Sequence, residues 1–266
     1  MEIKFLKKDN EKNRVSFILK NSDASFANSL RRVMSNEVPT MAIEVVEYRK
    51  NTSLLYDEML AHSLGLVVLS TDLKSYELPG KCSCKGEGCA KCQLTLTLKA
   101  KGPKIVYASD LKSKDPKVVP VHPKTVLVKL LKGQELELEA TAVLGTGKEH
   151  MKWSPGLAYY KYLPVITVKK DKFDGSEKVA KSCPVNVFEV KNDKLTINKD
   201  NVLACHLCNA CVDACNGEVE VTGNEQEIAY TIESWGQLSC KDIAKQAADV
   251  LQEKSDEFIE LVKKLD

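Results

Sequence analysis

The 266-residue chain has no apolar run near the ~20 residues that a membrane-spanning helix needs, so no membrane span is expected. Its first eight residues carry Glu2, Lys4, Lys7 and Lys8, where a secretory leader would need an apolar stretch. A soluble, cytoplasmic protein is the resulting expectation. Neither sign of charge is in excess: 39 basic residues stand against 37 acidic ones, a net of +2. That balance argues against the basic face of an autonomous nucleic-acid binder, and direct DNA binding is not expected. Histidine is scarce, at four residues. Catalytic signatures are missing too, with no complete phosphate loop, no G-x-S-x-G and no H-E-x-x-H. Gly145-Thr146-Gly147-Lys148 resembles a fragment of a phosphate loop, but it lacks the leading glycine and the following Ser or Thr, so it reads as a turn. No catalytic residues are expected.

What is present is enough apolar sequence, 43%, to bury a core, in a length suited to two or three domains. Ten cysteines are the unusual feature. Without a leader, their tight grouping favours metal binding over disulfides. Cys205-x-x-Cys208-x-x-Cys211-x-x-x-Cys215 has the spacing of an iron–sulfur ligand run, in which three thiolates reach three irons and the fourth iron takes a ligand from elsewhere. Cys183-Pro184 supplies the remote Cys-Pro signature. Counting back from Cys183 by the same spacing gives Phe173, Ser176 and Val179, so a second cluster cannot assemble. The expectation is one [4Fe-4S] cluster on Cys183, Cys205, Cys208 and Cys211, with Cys215 an orphan. The alternative is [3Fe-4S], with one thiolate withdrawn into a disulfide to Cys215. His206 is expected to face solvent.

Cys82, Cys84, Cys89 and Cys92 lie on a glycine-rich loop and can close tetrahedrally around structural zinc. The bland alternative is a reduced, partly occupied cysteine loop. Cys240 reads as a packing or capping residue.

Alternation predicts strands around Ile3 and Phe5, Val15 to Leu19, Met41 to Tyr48, Leu94 to Leu98, Leu136 to Ala142 and Glu227 to Glu233. Asp23 caps a predicted helix carrying Phe26, Ala27, Leu30, Val33 and Met34, and Pro39 stops it. A short helix is predicted over Asp57 to Leu64. The clearest helix is the last, Lys241 to Lys264, whose apolar stripe includes Ile243, Ala247, Val250, Phe258, Leu261 and Leu265. At ~1.5 Å per residue it is ~36 Å long and wants a partner beyond its own small domain. Trp153, on a Gly/Pro-bounded loop, is a candidate contact anchor, with a Trp tucked over its own strand as the equal alternative.

The stretch from Asn21 to Met34, followed by Glu37-Val38-Pro39-Thr40-Met41-Ala42-Ile43, resembles the α motif of RNA polymerase subunits. Asn51-Thr52-Ser53, Asp57 to Gly65 and Gly145 to Pro155 continue the likeness. With a cysteine loop after the second helix and a ferredoxin-like insertion before the last strand, the chain is similar to the α-like, D-type subunits of archaeal DNA-directed RNA polymerase. That branch groups with bacterial α and with the third-largest subunit of eukaryotic polymerase II.

The resemblance implies an α+β fold: a split RNA polymerase α-like dimerisation domain (1–49 plus 225–266), an inserted β-rich domain with the cysteine loop (50–168) and an inserted ferredoxin-like iron–sulfur domain (169–224). It further implies a heterodimer with the small L subunit of RNA polymerase, through the helices at Ala24–Asn36 and the C-terminus. The small N and P subunits and the second-largest catalytic subunit would then join, with Arg31, Arg32 and the 145–155 loop toward these neighbours. The cluster would be structural or assembly-regulating. A ferredoxin-type electron carrier or redox sensor is the alternative function, which leaves the remaining ~200 residues and the long helix without a purpose.

Overall fold

The computed structural model describes residues 1–265. Asp266, the last residue of the expected dimerisation segment, lies outside them. The chain opens with β1 (Glu2–Asp9) and β2 (Arg14–Lys20). Their turn is closed by Lys12 N donating to Asp9 Oδ1 at 3.1 Å and by Asn13 in the left-handed region (φ 46°). Asp23 caps α1 (Ala24–Asn36), its Oδ1 accepting from Phe26 N at 2.7 Å. β3 (Thr40–Asn51) follows Pro39, and α2 (Asp57–Gly65) starts on Asp57 and Glu58, acidic groups that suit the positive end of a helix.

The middle of the chain supplies β4 (Gln93–Lys101), β5 (Lys104–Tyr107), β6 (Lys112–Ser113), β7 (Val126–Leu130), β8 (Glu135–Gly145) and β9 (Gly156–Val168). Then come α3 (Ser176–Ser182), β10 (Phe188–Lys191), β11 (Lys194–Ile197), α4 (Ala210–Asp213), β12 (Val219–Ser234) and α5 (Cys240–Val262). Among the described residues these strands form four sheets, ordered β1-β2-β12-β9, β3-β8-β4-β6, β5-β7 and β10-β11.

The described chain divides into two compact units, each taken by itself. One comprises residues 8–15, 29–158 and 232–265, the other residues 1–7, 16–28 and 159–231. In the first, β8 is the central strand, antiparallel to β3 on one side and to β4 on the other. Its alternation puts Leu136, Leu138, Ala140 and Ala142 into a core with Met41, Ile43, Leu96 and Leu98. Leu60 and Leu64 of α2, four residues apart and so on one helix face, close that core. Each buried Leu, Ile or Met of this core contributes about 1.5–3 kcal/mol before entropic costs. The opposite face of β8 is charged: Glu137 pairs with Lys99 at 3.0 Å, Glu135 with Lys101 at 2.9 Å and Glu139 with Arg49 at 2.7 Å. Exposed pairs like these contribute ~0–1 kcal/mol each and mainly fix register.

The second unit holds a stack of Phe17 on Tyr230 (5.3 Å between centroids) and of Tyr160 on Tyr230 (6.1 Å). Its other core gathers Val179, Val187, Phe188, Leu195 and Val219 around three buried cysteines. The strand expected over Glu227 to Glu233 extends back to Val219, because ladder pairing overrides the turn signal of Gly223-Asn224. Helix α5 also starts one residue early. Its cap is Ser239, whose Oγ accepts from Asp242 N at 3.1 Å, while Cys240 packs inside the fold and donates to Asn13 O at 3.0 Å. No helix among the described residues is long and apolar enough to cross a membrane.

Candidate metal centres and assembly surface

The loop from Pro79 to Gln93 is built of successive tight turns. Lys85 N donates to Cys82 O at 2.9 Å, Glu87 N to Cys84 O at 3.1 Å, and Cys92 N to Cys89 O at 3.0 Å. Lys85, Gly86 and Gly88 adopt left-handed φ of 54°, 87° and 96°, which reverse the chain twice within seven residues. The turns bring the four thiols together: Cys82 Sγ lies 3.6 Å from Cys89 Sγ, Cys84 Sγ lies 3.5 Å from both Cys82 Sγ and Cys92 Sγ, and Cys92 Sγ lies 3.8 Å from Cys89 Sγ. All four sit within 4.8 Å of one another. A tetrahedral ion with thiolates at ~2.3 Å has edges of ~3.8 Å, so the donor set already has the span of a single-ion site. The residues therefore fit a tetrathiolate metal. The loop also polarises its thiols. The Gly88 N–H, and next the Cys92 thiol, hold Cys84 down to about 6, while burial pushes Cys92 up to about 12. Cys89 N donates to Cys92 Sγ at 3.2 Å, the kind of amide contact that steadies a ligating sulfur.

The second cysteine group is arranged differently. Cys183 caps the end of α3 and accepts from Val187 N at 3.4 Å on its Sγ. Cys205 follows a turn of 3₁₀ helix over Val202–Ala204, and Cys211 lies in α4. These three are buried in one core, whereas Cys208 is exposed. Leu207 and Asn209, on either side of Cys208, have φ of 58° and 59°, the left-handed backbone from which concave N–H nests for anionic clusters are made. Lys161 reaches into this loop, its Nζ donating to Leu203 O and, at 2.8 Å, to Cys205 O. Burial pulls the Lys161 pKa down, with the Cys205 sulfur opposing it. Burial likewise pushes the Cys211 thiol up, reinforced by Cys183 and Cys205.

Among the described residues only the 82–92 group gathers three or more ligand atoms to single-ion span. A cubane does not require that span, because each thiolate binds a different iron and the sulfurs stand farther apart. Three thiols in an apolar core, a fourth at its rim and an adjacent ammonium are a donor set that fits such a cluster. Phe173, Ser176 and Val179, the positions without cysteine, instead line or adjoin this core. Cys215 is a free thiol donating to Val212 O at 3.3 Å, and His206 is exposed.

Lys161 was not legible as a site residue, since it lies 44 positions from Cys205 with no motif around it. The same holds for Lys81. Next to Cys82, it pairs with Glu253 of α5 at 2.7 Å, tying the cysteine loop to that helix.

The predicted interface residues fall into two classes. Leu30 and Val33 of α1 and Ile243 and Ala247 of α5 are buried in the chain itself, and Val250 is half-buried. Trp153 is only 6% exposed: its ring lies against Gly145, where an added Cβ would come within 2.4 Å of it, and its Nε1 donates to Val143 O at 3.2 Å. Of the two readings of Trp153, the tucked side chain is the one found. The apolar surface that stays in water is Phe26 on α1 and, on the last turns of α5, Phe258 (68% exposed), Ile259, Leu261 (61%) and Val262, then Leu265. Arg31 is engaged within the chain. Arg32 lines a groove of about 330 Å³ with Glu37, Lys148 and Lys254, where Lys254 pairs with Glu37.

Comparison with known proteins places these features. Residues 42–165 match the RNA polymerase Rpb3/RpoA insert domain. The DNA-directed RNA polymerase subunit Rpo3 of Methanosarcina acetivorans is 40% identical over 252 residues, covering 94% of each chain. That of Methanosphaera stadtmanae is 39% identical over 98% of each chain, and that of Pyrococcus furiosus is 36% identical over 100% of this chain and 98% of its own.

Proposed function

The chain belongs to the Rpo3 family of archaeal DNA-directed RNA polymerase subunits, and from that premise we propose that it is a non-catalytic assembly platform, pairing with the small α-like L subunit. The observation that carries this reading is the exposed apolar end of α5. Ile243 and Ala247 anchor the start of the helix, and Lys254–Glu37 and Lys81–Glu253 hold its middle. Past Lys254 the stripe continues with Phe258 and Leu261 facing water. A helix that keeps its heptad-like stripe after its own core has ended is completed by a second polypeptide. Phe26 of α1 is a further apolar group left for a partner, and Arg32 and the 145–155 loop face the later-joining second-largest subunit and the small N and P subunits. The work is cytoplasmic and needs no direct DNA contact.

Two metal centres serve this platform. Cys82, Cys84, Cys89 and Cys92 hold structural zinc, which staples the loop that bears Lys81. Cys183, Cys205, Cys208 and Cys211 hold one iron–sulfur cluster, which supplies a rigid four-point cross-link to a segment of about 55 residues (169–224) that is marginal on its own. An electron-carrier role is not favoured, because the likeness to polymerase subunits runs the length of the chain.

The test is pairing. With the small α-like partner co-expressed, Phe258→Asp/Leu261→Asp should weaken complex formation by about 100-fold or more, since two side chains each lose about 1.5–3 kcal/mol of burial. The melting temperature of the isolated chain should not move. A complex of unchanged affinity, measured by analytical ultracentrifugation, sinks the reading.

A further inference from the structure

Between Lys99 and Lys132 the sequence carries nine lysines against two aspartates and no glutamate. In a chain of net charge +2, that is a concentrated positive region. Four of these lysines are neutralised locally, Lys99 by Glu137, Lys101 by Glu135, Lys104 by Asp110 and Lys117 by Asp72. Lys124, Lys129 and Lys132 are exposed and have no carboxylate partner among the described residues.

The ribbon β5–β7 organises them. Val106 opposes Val128 on its buried face. Ile105 opposes Lys129 on the other face, and after a register shift Tyr107 opposes Val126 there. That outward face leaves Ile105 (40%) and Val126 (59%) exposed, with Leu131 (46%) just beyond the strand. Three aliphatic side chains in water beside Lys129, with Lys124 and Lys132 just before and after the strand, call for a partner with both characters. A phosphate backbone would gain nothing from the aliphatic groups, and this face has no arginine and a single, half-buried aromatic, Tyr107, where a nucleic-acid platform uses several. A polypeptide segment presenting aliphatic side chains flanked by carboxylates satisfies both.

We propose that the outward face of the β5–β7 ribbon docks an acidic, aliphatic segment of another polypeptide. The proposal is separate from the α5 surface, and either can fail without the other.

A photo-crosslinking residue, benzoylphenylalanine, placed at Val126 of the full chain assembled in polymerase, tests it: after irradiation and digestion, the joined peptide is sequenced by mass spectrometry. The expected peptide contains more Asp and Glu than Lys and Arg, together with Val, Ile or Leu. Its yield should fall about tenfold in Lys129→Glu/Lys132→Glu and about threefold in Lys129→Gln/Lys132→Gln, which removes charge without adding repulsion. Both variants should keep the parent melting temperature. Crosslinking to nucleic acid, to a neutral or basic peptide, or to nothing overturns the proposal, as does a yield indifferent to the reversal.

Discussion

The cysteines at 82–92 and those at 183 and 205–211 approach metal chemistry from opposite directions. In the first group every thiol comes from one loop, and the turns alone draw four sulfurs to 3.5–3.8 Å contacts. In the second, three sulfurs belong to an apolar core assembled from α3, a 3₁₀ turn and α4, and the fourth lies at its rim. A loop that closes on itself costs little else when it opens. A core organised around its thiols is expected to loosen when the proposed cluster is lost. The two groups therefore differ in how far the loss of one sulfur should spread.

The largest effect should follow Cys183→Ser. Iron and sulfide content, measured after anaerobic purification, should drop to background, and residues 169–224 should become the first site of proteolysis. Retention of the parent iron content would remove Cys183 from the ligand set. Cys84→Ser should act more locally. Zinc is lost and hydrogen exchange rises over residues 79–93, while the β3-β8-β4 core keeps its protection and the melting temperature falls by only a few degrees, about 1 kcal/mol for a chain of this size. Global unfolding in this variant would erase the contrast between the regions.

Acid provides the smallest and finest distinction. Cys84 has its pKa lowered to about 6 by the Gly88 amide. In the metal-free loop the Cys84 thiolate is therefore present above that value and lost as pH falls through it, whereas burial keeps Cys92 a thiol up to about 12. With metal stripped by a chelator, alkylation at pH 7 should mark Cys84 well before Cys92, and the Cys84 rate should fall below about pH 6. Equal rates at the two thiols would contradict the amide's role.

Much of this architecture was legible in the residues. Strands β4 and β8 alternate so cleanly that their buried positions could be named, since period-2 patterning is a local property. The α5 stripe was equally plain, and so was the Asp23 cap. What patterning could not do was assign an apolar residue to its own core or to a partner: Ile243 and Phe258 share one stripe, yet the first is buried and the second exposed. Nor could it place Trp153 inside the fold, because that depends on Gly145 leaving room for the ring.

The order of residues by itself settled that β1 to β4, β8, α1, α2 and α5 form, which cysteines are grouped and which family the chain resembles, because helix and strand periods and ligand spacings act over a few residues. The folded arrangement alone decided how close the sulfurs come, that Lys161 reaches the Cys205 loop, that Lys81 meets Glu253, and where the stripe on α5 runs out of cover. Those are distances between segments far apart along the chain, and only packing in three dimensions sets them.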